Sequence, residues 1–170
     1  MTKVGFGGSC HWCTEAIFQS LSGVTEVLQG WVAVEGDDFS EAVLVSFDVE
    51  LISLQTLVDV HLATHSCTAE HSMRKKYRSA VYVHDEAQAR NARVVLAELQ
   101  KEYEQPIITQ VLQLNEFKLN APEYLNYYYS DPQKPFCENI VLPKLRLLLE
   151  RFGKNVDASK LDVLSNNPRA

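Results

Sequence analysis

The chain has 170 residues, of which 46% are hydrophobic and 22% charged, the balance of one globular domain with a proper core. Its net charge of −6 argues against a nucleic acid or an anionic membrane as partner, since both attract basic surfaces. No basic-then-apolar leader opens the chain and no apolar run is long enough to cross a membrane, so we expect a cytoplasmic protein.

The four cysteines are Cys10, Cys13, Cys67 and Cys137. Disulfide scaffolds belong to small secreted domains, and nothing here signals export. The cysteines therefore favour redox or metal chemistry in a reducing compartment.

The first segment predicts a short strand, a turn and a helix. Gly7 and Gly8 allow a tight turn with positive φ, and apolar residues at helical spacing follow from 16 to 21. Cys10 then lies at the N-terminus of the helix, where unpaired N–H groups and the helix dipole favour a thiolate. A thiol with a lowered pKa is a nucleophile; the alternative is a buried structural thiol.

From residue 24 onwards the pattern alternates between strands and helices, with a turn at 35–38 and a polar, basic loop at 66–76. Predicted strands cover 24–34, 41–47, 78–83 and 107–114. Predicted helices begin after the caps Ser53 and Asp85 and also cover 122–129 and 143–152.

This order indicates an α/β (α+β) fold, a two-layer, ferredoxin-like sandwich in which helices cover one face of a mixed β-sheet. We expect residues 1–153 to form the catalytic domain and residues 154–170 a C-terminal tail.

The residues around Cys10 resemble a known family. Gly-Gly-x-Cys-x-Trp-Cys-Thr-Glu-Ala-Ile-Phe, which starts at Gly7, resembles the start of the A-type peptide methionine sulfoxide reductases, which reduce the S epimer of methionine sulfoxide. The resemblance extends from Val4 to about Phe152. It implies a peptide-methionine (S)-S-oxide reductase in which Cys10 attacks the sulfoxide sulfur.

Attack on a sulfoxide needs an acid and a hydroxyl donor for the departing oxygen. Glu41 begins a strand and could be that acid if its environment is apolar; the alternative is an exposed loop glutamate. Ser-Glu-Ala-Val at Ser40 resembles the family's Ala-Glu-Ala-Val, whose glutamate is the proton donor. Tyr77 opens Tyr-Arg-Ser-Ala-Val-Tyr, which resembles a family segment whose first tyrosine donates a hydrogen bond to the substrate oxygen.

Two aromatic neighbours of the nucleophile are candidates for binding the substrate. Trp12 could seat the substrate methyl group by apolar contact, or simply fill the core. His11 stands where the family's Gly-Cys-Phe-Trp has an apolar residue, and is either a hydrogen-bond donor at the site or a solvated, idle side chain.

Other departures remove polar groups of the family's site. The loop that carries a second oxygen-binding tyrosine is deleted between Trp31 and Asp38, and the segment Ser72–Lys76 lacks the family's aspartate. We therefore expect a working but atypical reductase.

A sulfenic acid on Cys10 must be restored by a second thiol. Cys137 ranks first, because its segment resembles the family's late segment with the resolving cysteine and its neighbouring prolines suggest a mobile loop. Cys13 ranks second on its Cys-x-x-Cys spacing, and Cys67 third. The resulting disulfide needs an external dithiol, for which the resemblance implies thioredoxin, and no bound cofactor. We expect a monomer that acts on free or protein-bound methionine sulfoxide.

Two other functions remain open. One is a non-catalytic thiol redox sensor on the same fold. The other is a zinc-binding protein, whose candidate ligands are Cys10, Cys13, His61, His65, Cys67 and His71.

Overall fold

A computed structural model describes residues 2–35 and 38–161, so the middle of the turn predicted at 35–38 lies outside the described residues. Six strands occur in these ranges: β1 (Thr2–Gly7), β2 (Val24–Ala33), β3 (Ser40–Phe47), β4 (Ala80–Val83), β5 (Gln110–Gln113) and β6 (Glu116–Leu119). Five α-helices accompany them: α1 (His11–Gln19), α2 (Leu54–Ala63), α3 (Glu86–Leu99), α4 (Tyr127–Ser130) and α5 (Leu142–Phe152).

The strands form one sheet in the order β5-β4-β1-β3-β2-β6. Only the β4–β5 pair is parallel, so the sheet is mixed as expected. The inner order β4-β1-β3-β2, with α1 and α2 as the crossovers, confirms the ferredoxin-like arrangement. Strand β6 was not predicted, because four residues at a sheet edge carry too little pattern to distinguish them from a loop.

Strand residues that alternate along the sheet pack their apolar side chains against the helices. Phe6 of β1 stacks on Phe18 of α1, with ring centroids 4.6 Å apart, inside a core that also takes in Val45 of β3 and Leu57 of α2. A smaller cluster around Tyr82 occupies the opposite face. Helices on one face of the sheet are thereby confirmed.

Both predicted helix caps are present. Ser53 Oγ accepts a hydrogen bond from the Thr56 N–H at 3.1 Å. Asp85 Oδ1 accepts one from the Gln88 N–H at 2.8 Å, while Gln88 Oε1 accepts one from the His84 N–H. These side chains satisfy N–H groups that the first turn of a helix leaves unpaired.

The C-terminal third departs from the prediction. The helix expected at 122–129 is interrupted by Asn126, whose left-handed φ of 55° ends one turn and starts α4. The segment of Cys137 is a helical turn, Cys137–Val141, that leads directly into α5, so the prediction of a loop conformation there was wrong. The neighbouring prolines suggested a loop, but the segment is helical and packs against α1.

The described part of the predicted tail attaches to the loop after α1. The Ser22 N–H donates to the Asn155 carbonyl at 2.7 Å, and the Asp157 N–H donates to the Ser20 carbonyl at 2.8 Å. Residues 162–170 lie outside the described residues, and the boundary at 153 stays a prediction. No helix within the described ranges has the length and apolarity needed to cross a membrane.

At Gly30 the main chains of β2 and β6 leave no room for a side chain. A Cβ there would clash with the Lys118 carbonyl oxygen, so we expect Gly30→Ala to force the strands apart and lower the free energy of unfolding by about 1–3 kcal/mol. Urea denaturation measures the change. Gly153→Ala is the control, because nothing lies within 4 Å of its added Cβ; equal stabilities of the two variants would contradict this account of the β2–β6 pair.

Candidate active site

Cys10 is the residue before α1 and lies in the wall of a surface cavity of about 520 Å³. It is half-buried, and Cys13 and Tyr77 line the same cavity. Apolar side chains of Met73 and Ile140 lie at its rim, where both are about half exposed. The predicted nucleophile is therefore accessible to a small ligand.

The pKa of the Cys10 thiol differs from the sequence-based prediction. The expected helix effect is present, since the Trp12 N–H donates to the Cys10 sulfur and lowers its pKa. A hydrogen bond shared with Cys13, together with burial, outweighs it and raises the pKa of Cys10. The same bond lowers the pKa of Cys13, so Cys13 is the more acidic thiol of the pair.

The turn before Cys10 is held by side chains from two other segments. Gly8 has a φ of +151°, and a Cβ there would lie 2.5 Å from the ring of His65. That ring is fixed by a 2.8 Å hydrogen bond between His65 Nε2 and Ser79 Oγ. Arg74 Nη1 donates to the Gly8 carbonyl at 2.9 Å, so only glycine fits this close approach.

Glu41 is the second residue of β3 and is 6% exposed, which rules out the exposed-loop alternative. Its Oε1 accepts a hydrogen bond from the His11 N–H at 3.2 Å, and its Oε2 lies 3.5 Å from Lys76 Nζ. The negative charge of Glu41 raises the pKa values of Cys10 and Cys13, as expected for a carboxylate beside both thiols.

Tyr77 is brought to Glu41 by the start of β3. Ser40 Oγ accepts a hydrogen bond from the Arg78 N–H at 2.7 Å and donates to the Lys76 carbonyl at 2.8 Å. Lys76 Nζ also lies over the Tyr77 ring, 5.2 Å from its centroid, and Tyr77, followed by the charge of Glu41, raises the pKa of Lys76. One ammonium group therefore connects the predicted acid and the predicted hydroxyl donor.

Trp12 packs against the C-terminal segment rather than against the sheet. Its ring stacks on Tyr127 at 4.1 Å with an interplanar angle of 8°, and Phe136 contacts it edge-on at 5.4 Å. Buried Glu15 holds this segment, since its carboxylate accepts the N–H groups of Asn126 and Tyr127 at 2.8 and 2.9 Å. Burial raises the pKa of Glu15.

His11 is 4% exposed, so the alternative of a solvated, idle side chain is wrong. Its Nδ1 lies 2.8 Å from the Gly30 carbonyl oxygen and its ring contacts Trp31 edge-on at 5.1 Å. The structure thus brings Cys10, Glu41 and Tyr77 together, with His11 on the buried side of Glu41.

The three candidates for the second thiol lie in different surroundings. Cys13 hydrogen-bonds to Cys10 and lines its cavity. Cys137 is fully buried, and it lies close enough to Cys13 to raise the pKa of the Cys13 thiol. Cys67 is buried too, with Tyr103 as its side-chain partner, although a polar loop was expected there.

The zinc-binding alternative fails on geometry. Across residues 2–35 and 38–161, which include all six candidate ligands, no group of three or more His, Cys, Asp or Glu side chains could hold a metal ion. His61 Nε2 is instead 2.7 Å from the Gly7 carbonyl oxygen. Burial lowers the pKa of His65 to about 4, so both imidazoles support the Gly7–Gly8 turn in neutral form.

Sequence reasoning missed the polar residues that hold the site. Ser40 and Lys76 adjoin predicted residues, and that adjacency was the available signal. Asn120 and Gln29 are 91 residues apart yet hydrogen-bond through their side-chain amides at 2.8 Å. Nothing in the sequence pairs them, because β6 was not predicted.

Comparisons with known proteins show which family this chain resembles. The family model for peptide methionine sulfoxide reductase matches residues 2–156. The chain is 34% identical to peptide methionine sulfoxide reductase MsrA of Chromobacterium violaceum, over 90% of this chain and 97% of that protein. It is 32% identical to the MsrA of Trichodesmium erythraeum, over 93% of this chain and 99% of that protein.

A solved structure shares the fold. Mxr1 from Saccharomyces cerevisiae, crystallised in complex with Trx2, superposes with a TM-score of 0.60 at 22% sequence identity, covering 72% of this chain and 81% of that one.

The charge distribution of the cysteine pair can be tested by removing one sulfur at a time. In Cys13→Ala the largest cause of the raised Cys10 pKa is lost, so we expect that pKa to fall. In Cys10→Ala the pKa of Cys13 should rise, because the hydrogen bond that lowers it is gone. Thiolate absorbance as a function of pH measures both, with Cys67→Ala as the control. Identical thiolate titrations of the Cys10→Ala and Cys13→Ala variants would contradict the opposite pKa shifts of the two thiols.

Proposed function

The chain belongs to the peptide methionine sulfoxide reductase family, and from this premise we propose that Cys10 reduces methionine sulfoxide with Glu41 as proton donor and Tyr77 as hydrogen-bond donor. The observation that carries the proposal is the Lys76 ammonium, which joins Glu41 and Tyr77 beside the cavity of Cys10. The S epimer and its free or protein-bound form are parts of this proposal that follow from the family.

The chemical step transfers oxygen from one sulfur to another. The Cys10 thiolate attacks the sulfoxide, Glu41 gives a proton to the oxygen, and the substrate S–O bond breaks. The oxygen ends as the hydroxyl of a Cys10 sulfenic acid, so the substrate gains the two electrons that Cys10 loses.

Cys13 prepares the nucleophile. When the pair has lost one proton, moving the remaining proton from Cys10 to Cys13 along their hydrogen bond produces the attacking thiolate. No solvent base is needed, and the charge stays within one buried pair while the proton moves.

The polar groups around the oxygen share its developing charge. The Tyr77 hydroxyl donates to the oxygen, and Lys76 balances the carboxylate that remains when Glu41 has lost its proton. Trp12 stays the proposed apolar contact for the substrate methyl group and adjoins the cavity through Phe136, which lines it. His11 supports the binding site from behind Glu41.

A second thiol then attacks the sulfenic sulfur, releases water and leaves a disulfide. Cys137 remains the first candidate from the family resemblance, whereas contact with Cys10 favours Cys13. For Cys137 to reach Cys10, the helical turn that buries it must open.

An external dithiol must reduce that disulfide, and we propose thioredoxin. Support comes from yeast Mxr1, a structural relative crystallised in complex with Trx2. A cycle that depends on free thiols suits a reducing compartment, so we also propose a cytoplasmic location. We further propose that the protein is a monomer and needs no bound cofactor.

Glu41→Gln tests the proton donor, because an amide keeps the shape but cannot give the proton. We expect the rate of a single turnover with methionine-S-sulfoxide to fall about 10²-fold or more, measured by rapid quench. Glu26→Gln is the matched control, since Glu26 is exposed on β2. Cys10→Ser should stop even one turnover.

The same assay distinguishes the enzyme from a non-catalytic redox sensor. The sensor stays an alternative because the second oxygen-binding tyrosine and the aspartate of the family's site are missing from this sequence. Steady turnover with dithiothreitol supports the enzyme. A wild-type protein that forms sulfenic acid with peroxide but releases no methionine from the sulfoxide would contradict the proposal.

Serine variants identify the second thiol. If Cys137 is that thiol, Cys137→Ser makes one stoichiometric turnover and then stops with thioredoxin as reductant. Unchanged cycling in Cys137→Ser, together with lost cycling in Cys13→Ser, would move the role to Cys13. Mass spectrometry of the disulfide formed in each protein provides the readout, with Cys67→Ser as control.

A further inference from the structure

The imidazole of His11 faces the carboxylate of Glu41. His11 Nε2 lies 3.5 Å from Glu41 Oε1, and both side chains are almost fully buried, with 5% and 7% of their surfaces exposed. The main chain adds a second contact, because the His11 N–H donates to the same oxygen. A titratable base therefore lies next to the proposed acid, where water has almost no access.

The other ring nitrogen fixes where the His11 proton resides. Nδ1 lies 2.8 Å from the Gly30 carbonyl oxygen, and a carbonyl can only accept a hydrogen bond. Nδ1 therefore carries a proton, and in the neutral ring Nε2 is left with a lone pair.

Asn120 supports the same assignment. Its Oδ1 accepts from the Ala121 N–H at 2.8 Å, so its Nδ2 is a donor and points to His11 Nε2 at 3.4 Å and to Gln29 Oε1 at 2.8 Å. Nε2 thus faces a donor on one side and the carboxyl group of Glu41 on the other, which suits an acceptor of protons.

We propose that His11 is a positioning residue that shares one proton with Glu41, between Nε2 and Oε1, and so supplies the acid with the proton that it gives to the substrate oxygen. The inference rests on the proposed role of Glu41 in sulfoxide reduction. When His11 is neutral the proton lies on Oε1, and when Glu41 is ionised it lies on Nε2. Either way the pair holds one transferable proton beside the substrate oxygen.

The proton balance of the reaction indicates what the His11–Glu41 pair would do. A thiol, a thiolate, a sulfoxide and one proton give a disulfide, a thioether and water. The oxidising half of the cycle therefore takes up one proton from outside, and reduction of the disulfide by an external dithiol releases one again. The Lys76 side chain, which is 56% exposed, lies 3.5 Å from Glu41 Oε2 and joins the buried pair to solvent.

Other charges surround the pair. Cys10, Cys13 and Glu15, all on α1 or next to it, are the groups near the pair that can carry negative charge, and Lys76 before β4 is the positive one.

The first test is the pH dependence of the single-turnover rate. Without His11 the carboxyl group must hold its proton alone, so in His11→Gln we expect the alkaline fall in rate to begin at lower pH. Each unit of that displacement costs about tenfold in rate at high pH. Trp31→Phe is the control, since it alters the ring contact with His11 but removes no titrating group. An equal loss of rate at every pH, with the profile in its original place, would overturn the proposal.

The second test needs no turnover. In nitrogen NMR of the wild-type protein, the His11 signals, identified by their loss in His11→Gln, should show Nδ1 protonated. Glu41→Gln should change the Nε2 signal, because an amide cannot share the proton. A proton on Nε2 with Nδ1 bare, or an Nε2 signal unaffected by Glu41→Gln, would refute proton sharing. A wild-type protein without reductase activity would instead refute the proposed function and leave this NMR result interpretable.

Discussion

The site depends on the first two residues of β3. Ser40 binds the main chain on both sides of Tyr77, and Glu41 accepts the first N–H of α1. One strand end therefore fixes the position of the helix that carries the nucleophile and of the segment that carries the hydroxyl donor. Because β3 is an inner strand paired with β1 and β2, this junction cannot shift without disrupting the sheet.

Burial controls the charges at this junction. Two thiols and a carboxylate lie together, and low polarity makes each additional negative charge costly. The protein limits that charge by letting Cys10 and Cys13 share a hydrogen bond, by placing Lys76 on Glu41 and by giving Glu41 an imidazole neighbour. The thiol pair and the imidazole each hold a proton close to the sulfur that reacts, whereas Lys76 balances the charge of the carboxylate.

The departures from the family pattern are consistent with a site in which buried charges and protons are controlled by neighbouring side chains. The substitution that seemed to spoil an apolar pocket, His11, is buried and bound to Gly30, so it changes the proton supply rather than the shape of the pocket. The basic residues that replace the aspartate segment include Arg74, which holds the Gly8 turn, and Lys76, which joins the acid to the hydroxyl donor. Lost polar contacts are thus partly offset by basic ones.

The sequence by itself determined the ferredoxin-like order of elements, the caps at Ser53 and Asp85 and the candidates Cys10, Glu41 and Tyr77, because hydrophobic periodicity, capping and short motifs are local signals. Only the tertiary structure decided that Cys13 is the more acidic thiol of the cysteine pair, that the turn at Cys137 is helical and that the Gly30 carbonyl places the proton of His11 on Nδ1. Each of these depends on contacts between segments distant in the chain or on burial, and neither leaves a periodic trace in the sequence.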